Sequence, residues 1–329
     1  MTSRFLNACR LWISLVLGVA ALGAPMALPA QVPDRPVRFI LPVSAGSGVD
    51  IITRTAANAL SRALGQPVVI DNQPGAGGLV GTAAMIKSAP DGQTLSVVSN
   101  NHVIYPSVLK SVPFDPIADI TPITVIGTTP MVLVVNPAKV PATNVRELVA
   151  FLKARPGAYN YGSSGNGTIL HLAAQMFVDE AKVDVKHIPY KGVGPMVADL
   201  IGGQIEMGVL ALPAIQGHLK SGALRAIGVG GQTRSAAAPD IATIAEQGLP
   251  NYQVEGWFAV VGPARLPAAE VARIHAAVTA AFATAEVSEA MAKQGNSINP
   301  SSPEAAAQFF RSELAKYARL VKAAGVEAQ

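Results

Sequence analysis

Two short stretches gather glycine and hydroxyl residues where an apolar run gives way to helical spacing. The first is Pro42-Val43-Ser44-Ala45-Gly46-Ser47-Gly48-Val49-Asp50, and the second is Tyr161-Gly162-Ser163-Ser164-Gly165-Asn166-Gly167-Thr168. A helix start leaves several backbone N–H groups without intrahelical partners and carries a partial positive charge. Glycines there let a ligand approach the backbone, and the hydroxyls add donors, so the combination suits a carboxylate or phosphate. The candidate residues are Ser44, Ala45, Gly46, Ser47 and Gly48 on one side, and Ser163, Ser164, Gly165, Asn166, Gly167 and Thr168 on the other. His171 follows one turn into the second helix. Each stretch also has a plainer reading: a tight turn with Ser47 or Asp50 as a helix cap, and His171 as a satisfied structural histidine.

Other chemistries are poorly served. Ser163, Ser164 and His171 could suggest a hydrolase, but Gly162-Ser163-Ser164-Gly165-Asn166 lacks the closing glycine of a nucleophile elbow. Gly46-Ser47-Gly48-Val49-Asp50-Ile51 lacks the third glycine of a dinucleotide fingerprint, and no P-loop is present. The five histidines (His102, His171, His187, His218, His275) include no i, i+4 chelating pair. Neither a metal nor a cofactor is expected, and the chain reads as a binding protein, not an enzyme.

The elements that would hold these loops alternate. Val37 to Leu41 reads as a strand, Ile52 to Ala63 as a helix stopped by Gly65, and Pro67 to Ile70 as a second strand. A Gly-rich loop from Gln73 to Gly78, a helix over Leu79 to Ser88 and a strand from Thr94 to Val98 follow. This order implies right-handed crossovers and a parallel sheet. The middle of the chain repeats it, with helices over Asn144 to Ala154, Thr168 to Glu180 and Pro195 to Ile201 between short strands. Two longer strand-like stretches, Ile120 to Asn136 and Gln253 to Gly262, bracket that middle, and two helices starting near Ala268 and Pro303 close the chain. The expected organisation is a discontinuous first domain, 31–128 with 255–329, and a second domain, 129–254. Two crossing strands would let the pair close like a hinge.

The first thirty residues read as a secretory signal: Arg4 and Arg10, an apolar run from Leu11 to Leu22, then Pro25, Pro29 and Ala30 before a polar start. The run is shorter than the roughly 20 residues a membrane span needs. Cleavage is expected near Ala30, with export to the periplasm. It would remove the single cysteine, Cys9, and two arginines, leaving 23 basic against 21 acidic residues, a net of +2. That balance argues against a nucleic-acid partner.

Read together, these motifs resemble the extracytoplasmic solute receptors of tripartite tricarboxylate transporters, the Bug family. The likeness is carried by Pro33-Asp34-Arg35-Pro36-Val37, the Pro42 to Asp50 loop, Asp71 to Gly78 and Ala89-Pro90-Asp91-Gly92. It continues through Tyr161 to Gly167 with His171, Pro189-Tyr190-Lys191-Gly192 and Asp199 to Gln204. The resemblance implies a two-domain α/β fold of the periplasmic-binding-protein type (type II), each domain a mostly parallel sheet flanked by helices. A cleft between them would hold a small mono- or dicarboxylate, and closure would be read by a membrane permease. It implies that the two loops hold the carboxylate, and it adds Asn100, Asn101, His102 and Tyr190 to His171 as cleft residues. A monomer is expected. A sensor role in place of uptake is the alternative, with an exported hydrolase behind it.

The chain departs from the family pattern in two places. Ser44-Ala45-Gly46-Ser47-Gly48 stands where the family usually runs Ala-Gly-Gly-Gly, so an additional hydroxyl is available. Leu210-Ala211-Leu212 stands where Asp or Asn is common. The cleft is therefore expected to suit a ligand with an apolar or aromatic body over an amino acid that needs an ammonium partner.

Overall fold

Strand β1 (Val37–Leu41) buries every residue except Arg38, as a strand covered on both faces must. In the computed structural model, which describes residues 35–323 and 328, β1 pairs in parallel with β2 (Val68–Asn72) and β3 (Thr94–Ser99). Helix α1 (Gly48–Leu64) makes the crossover. It starts at Ser47, whose hydroxyl accepts the Asp50 N–H, and ends at Gly65 in the left-handed conformation. Helix α2 (Leu79–Ile86) and helix α3 (Asn101–Val108) follow β2 and β3.

Strand β4 (Ile120–Val135) is the long one, and it serves two sets of partners. Ile120 to Pro130 runs antiparallel to β9 (Glu255–Pro263), which itself lies antiparallel to β3. Met131 to Val135 instead pairs antiparallel with β7 (Met207–Ala211) and β8 (Arg225–Val229). Beyond β7 come the parallel strands β5 (Asn160–Ser163) and β6 (Lys186–Pro189). The sheet order is thus β2-β1-β3-β9-β4-β7-β5-β6, with β8 and the short β10 (Ser297–Ile298) also on β4. Both outer parts are parallel, as the alternating elements imply, while the central strands β4 and β9 run against their neighbours.

The helices of the second half are α4 (Val145–Lys153), α5 (Ile169–Ala181), α6 (Val193–Gly202) and α7 (Leu212–Lys220). The C-terminal part adds α8 (Ala268–Ala283), α9 (Ala285–Lys293) and α10 (Pro303–Ala323). Helices α3, α7 and α9 are absent from the sequence reading. Pro106 lies inside α3, Leu-Ala-Leu-Pro disguises the start of α7, and Thr284 caps α9 directly against the end of α8. One apolar core joins β1, β3 and β9 to α1 and α8 through Phe39, Ile52, Leu60, Val260 and Ile274. A larger one runs through Val132 to Val135, Leu148, Phe177 and Met207. No helix among the described residues is long and apolar enough to cross a membrane. The expected leader and its cleavage near Ala30 lie outside the described residues.

Candidate functional site

Strand ends and helix starts converge on two adjoining cavities. The outer one, about 700 Å³, is walled by Pro42 to Ser44, by the Pro74 to Gly78 loop, by Ser164 to Asn166 and by Tyr190 to Val193. The inner one, about 70 Å³, shares Val43, Asn101, Ser164 and Val193 with it. Its wall includes Gly48 and Val49, Ile169 and Leu170, Val193 and Ala214. Helices α1, α3, α5, α6 and α7 therefore all begin at this chamber. Their partial positive ends point at one small volume, which is the position of ligands at the carboxyl ends of parallel strands. Elsewhere the wall is mostly apolar, with Met131, Leu210, Ala211 and Trp257 beside the polar Ser99 and Thr129. Lys191 is the one charged side chain on either wall among the described residues, and no carboxylate lies there.

Of the sequence candidates, Ser44, Ser47, Gly48, Asn100, Asn101, Ser164, Gly165, Asn166 and Tyr190 line these cavities. Ala45, Gly46, His102, Ser163, Gly167, Thr168 and His171 do not, and all but Ala45 have another task.

In the first loop the Gly46 N–H donates to Asp50 Oδ2 at 2.9 Å, so that donor is already used. Asp50 is buried, and its Oδ1 accepts from Arg54 Nε at 2.8 Å and Asn72 Nδ2 at 3.0 Å. Ser47 is the helix cap that the plainer reading anticipates. Ala45 is exposed.

In the second loop Thr168 caps α5 by accepting the His171 N–H, and its own hydroxyl donates to Gly165 O at 2.8 Å. The fully buried Ser163 hydroxyl accepts the Gly165 N–H and lies 2.6 Å from His187 Nε2. The serine's imidazole is thus His187 and not His171. His171 Nδ1 accepts the Gly167 N–H at 3.1 Å, and its ring stacks on His187 at 3.9 Å between centroids. Burial pushes the His187 pKa down to about 4, with His171 beside it adding to the effect, and burial also lowers that of His171. Both rings are neutral at neutral pH and hold the loop from behind.

The Asn100–His102 stretch divides. Asn101 does face the cleft, and it spans it: its amide oxygen accepts the Ile169 N–H at the start of α5 at 2.8 Å, while its Nδ2 donates to Gly77 O at 3.1 Å. Asn100 borders the inner chamber, but its amide is occupied by Tyr317 Oη, Glu255 O and the Trp257 N–H. His102 is a correction. It turns away from the cleft into the packing of α3 on α10, where Nε2 meets Pro116 O at 2.7 Å and the ring sits edge-on to Phe310. Tyr190 lines the outer cavity, and its hydroxyl donates to Asp199 at 2.8 Å. Burial, followed by that carboxylate, raises its pKa to about 12.

The two sides of the cleft also meet directly. The Val193 N–H, first in α6, donates to Ser44 Oγ at 3.0 Å. A Cβ on Gly48 would lie 2.7 Å from Ala211 Cβ, so only glycine allows this approach. The sequence reading omits the Pro74 to Gly78 wall from the site. Its backbone runs through positive φ from Gly75 to Gly78, and Gly75-Ala76-Gly77-Gly78 was the available signal.

An α/β fold bent about a central pair of strands, with helix starts facing one cleft, is the architecture of a solute-binding receptor. Residues 52–326 match the model of the tripartite tricarboxylate transporter family receptor, and the chain belongs to that family. It is 33% identical to BugT of Bordetella pertussis over 317 residues, 96% of this chain and 97% of that one. An R. palustris protein solved with adipate superposes with a TM-score of 0.87 at 29% identity, covering 91% of this chain and all of that one. MatC of Rhodopseudomonas palustris, solved with bound malate, superposes at 0.83 and 26% identity over 88% of this chain and 99% of its own.

Proposed function

We propose that this receptor binds a small mono- or dicarboxylate with an apolar body, closes around it, and presents the closed form to a membrane permease for uptake. The observation that carries the reading is the convergence of the α1, α3, α5, α6 and α7 starts on one mostly apolar chamber without a wall carboxylate. Each helix start favours an anion by about 0.3–1 kcal/mol when exposed and up to about 2 when partly buried. An ammonium group would find no anionic partner on these walls and would lose its hydration. The adipate and malate bound by the two relatives support the carboxylate.

Closure draws 31–128 with 255–329 and 129–254 together as two bodies about β4 and β9. The Ser44–Val193 and Asn101–Ile169 hydrogen bonds, which join the two sides of the cleft, support this reading. A ligand shifts the balance only through its greater affinity for that form. Export to the periplasm follows from the leader, with action as a monomer. Uptake is the role we favour, and a sensor role would use the same closure.

A thermal-shift screen of aliphatic and aromatic mono- and dicarboxylates against aspartate and glutamate tests the reading. Stabilisation by unsubstituted acids is expected, growing with concentration through binding linkage. Preferential stabilisation by aspartate or glutamate would overturn the ligand class.

A further inference from the structure

We infer that Ser44 couples the approach of the two cleft walls to carboxylate recognition. Its hydroxyl oxygen caps α6 from across the cleft, and its hydroxyl hydrogen is thereby presented to the ligand's carboxylate. This rests on the carboxylate reading of the cleft and gives one residue a defined part in it.

Helix α6 cannot cap itself. Helices α1 and α5 start at hydroxyl residues, Ser47 and Thr168, whose side chains accept an N–H of their own first turn. The residue before α6 is Gly192, which has no side chain, and Pro195 in its first turn has no N–H. The Val193 N–H is satisfied instead by Ser44 Oγ at 3.0 Å, 149 residues away in the chain. Gly192 is what admits it, because a Cβ there would lie 2.7 Å from Ser44 Oγ. Asn101 makes a comparable bond to the Ile169 N–H, but α5 already has Thr168, so that contact supplements a cap where Ser44 supplies one.

A hydroxyl offers one donor and two acceptor positions. Ser44 spends an acceptor position on Val193, and its side chain forms no other hydrogen bond among the described residues. The group left over is the donor. Ser44 is half-buried on the wall of the outer cavity, which Tyr190 to Val193 complete from the opposite side. A bond accepted from a helix start polarises the hydroxyl, so the chain N–H···O–H···O⁻ strengthens when an anion stands at its end. Where the two walls separate, Ser44 loses the N–H that orients it, so the donor is set only when they meet.

The test is calorimetric titration of wild type, Ser44→Ala and Ser44→Thr with adipate, joined to a crystal structure of the wild-type adipate complex. Ser44→Ala is expected to weaken adipate by about tenfold or more, and Ser44→Thr, which keeps the hydroxyl, to stay within about threefold of wild type. In the complex a carboxylate oxygen is expected within about 3 Å of Ser44 Oγ while the Val193 N–H remains on that same Oγ. Unchanged affinity in Ser44→Ala overturns the inference, and so does a loss in Ser44→Thr equal to that in Ser44→Ala. A complex in which the carboxylate takes the Val193 N–H and displaces Ser44 overturns it as well. In each of these cases adipate still binds the wild type and the cleft reading stands, whereas a wild type that prefers aspartate or glutamate to adipate fails the cleft reading itself.

Discussion

The loop from Ser44 to Gly48 and the loop from Ser163 to Thr168 share one recipe: a strand end, small hydroxyl and glycine residues, then a helix capped by a hydroxyl. They are braced by opposite means. The first rests on a buried charge, Asp50, which takes the Gly46 N–H and is itself held by Arg54 and Asn72. The second rests on two neutral imidazoles, with Gly167 N–H on His171 and Ser163 beside His187. A carboxylate brace uses up a donor that an anionic ligand could otherwise take. A neutral ring supports the loop without opposing the ligand's charge, but it ties the loop to pH. Similar motifs can thus prescribe similar backbones and different sensitivities.

Breaking the first brace has the largest expected effect. Asp50→Ala strands the Gly46, Arg54 and Asn72 donors and should lower stability by about 3 kcal/mol, read from the urea midpoint. Acid tests the second brace. An unfolded histidine protonates near 6.5, whereas the native His187 resists until about 4, so the native state binds fewer protons in between. The stability these rings contribute is complete above about pH 6.5 and is lost as pH falls toward 4. Melting curves across that window should show a loss that His187→Gln reduces and Asp50→Ala leaves in place. An identical acid loss in the His187 variant would break the comparison.

A smaller effect is expected from His171→Phe. It keeps the stack on His187 but removes the acceptor of the Gly167 N–H, and it should weaken adipate binding by about five- to tenfold, near 1–1.4 kcal/mol. The smallest belongs to a pair remote from both loops. Arg62 and Glu286, each more than half exposed, should contribute under about 0.5 kcal/mol, so Arg62→Ala should leave both stability and affinity nearly unchanged.

Local chemistry made much of this legible in the sequence. Both loops, the cap at Ser47 and the long central strands follow from short-range pattern. The apolar stretch Leu210-Ala211-Leu212, which contributes two residues to the inner wall, could also be read directly. What stayed hidden depends on residues far apart in the chain. His102 turns inward because α10 brings Phe310 against it. His187 stands behind Ser163 because β6 pairs with β5, and no spacing rule distinguishes it from His171. Asn101 spans the cleft to a backbone N–H 68 residues away, a contact that exists only once the two halves face each other.

A carboxylate ligand should be held where the helix starts meet. A crystal structure of the complex with adipate tests it most directly. Carboxylate oxygens are expected within about 3 Å of cleft backbone N–H groups or hydroxyls of Ser44 to Gly48 and Ser164 to Gly165. The methylene chain should lie against Met131, Leu210 and Trp257. Adipate bound by Lys191 alone at the outer rim, with the helix starts untouched, would contradict it.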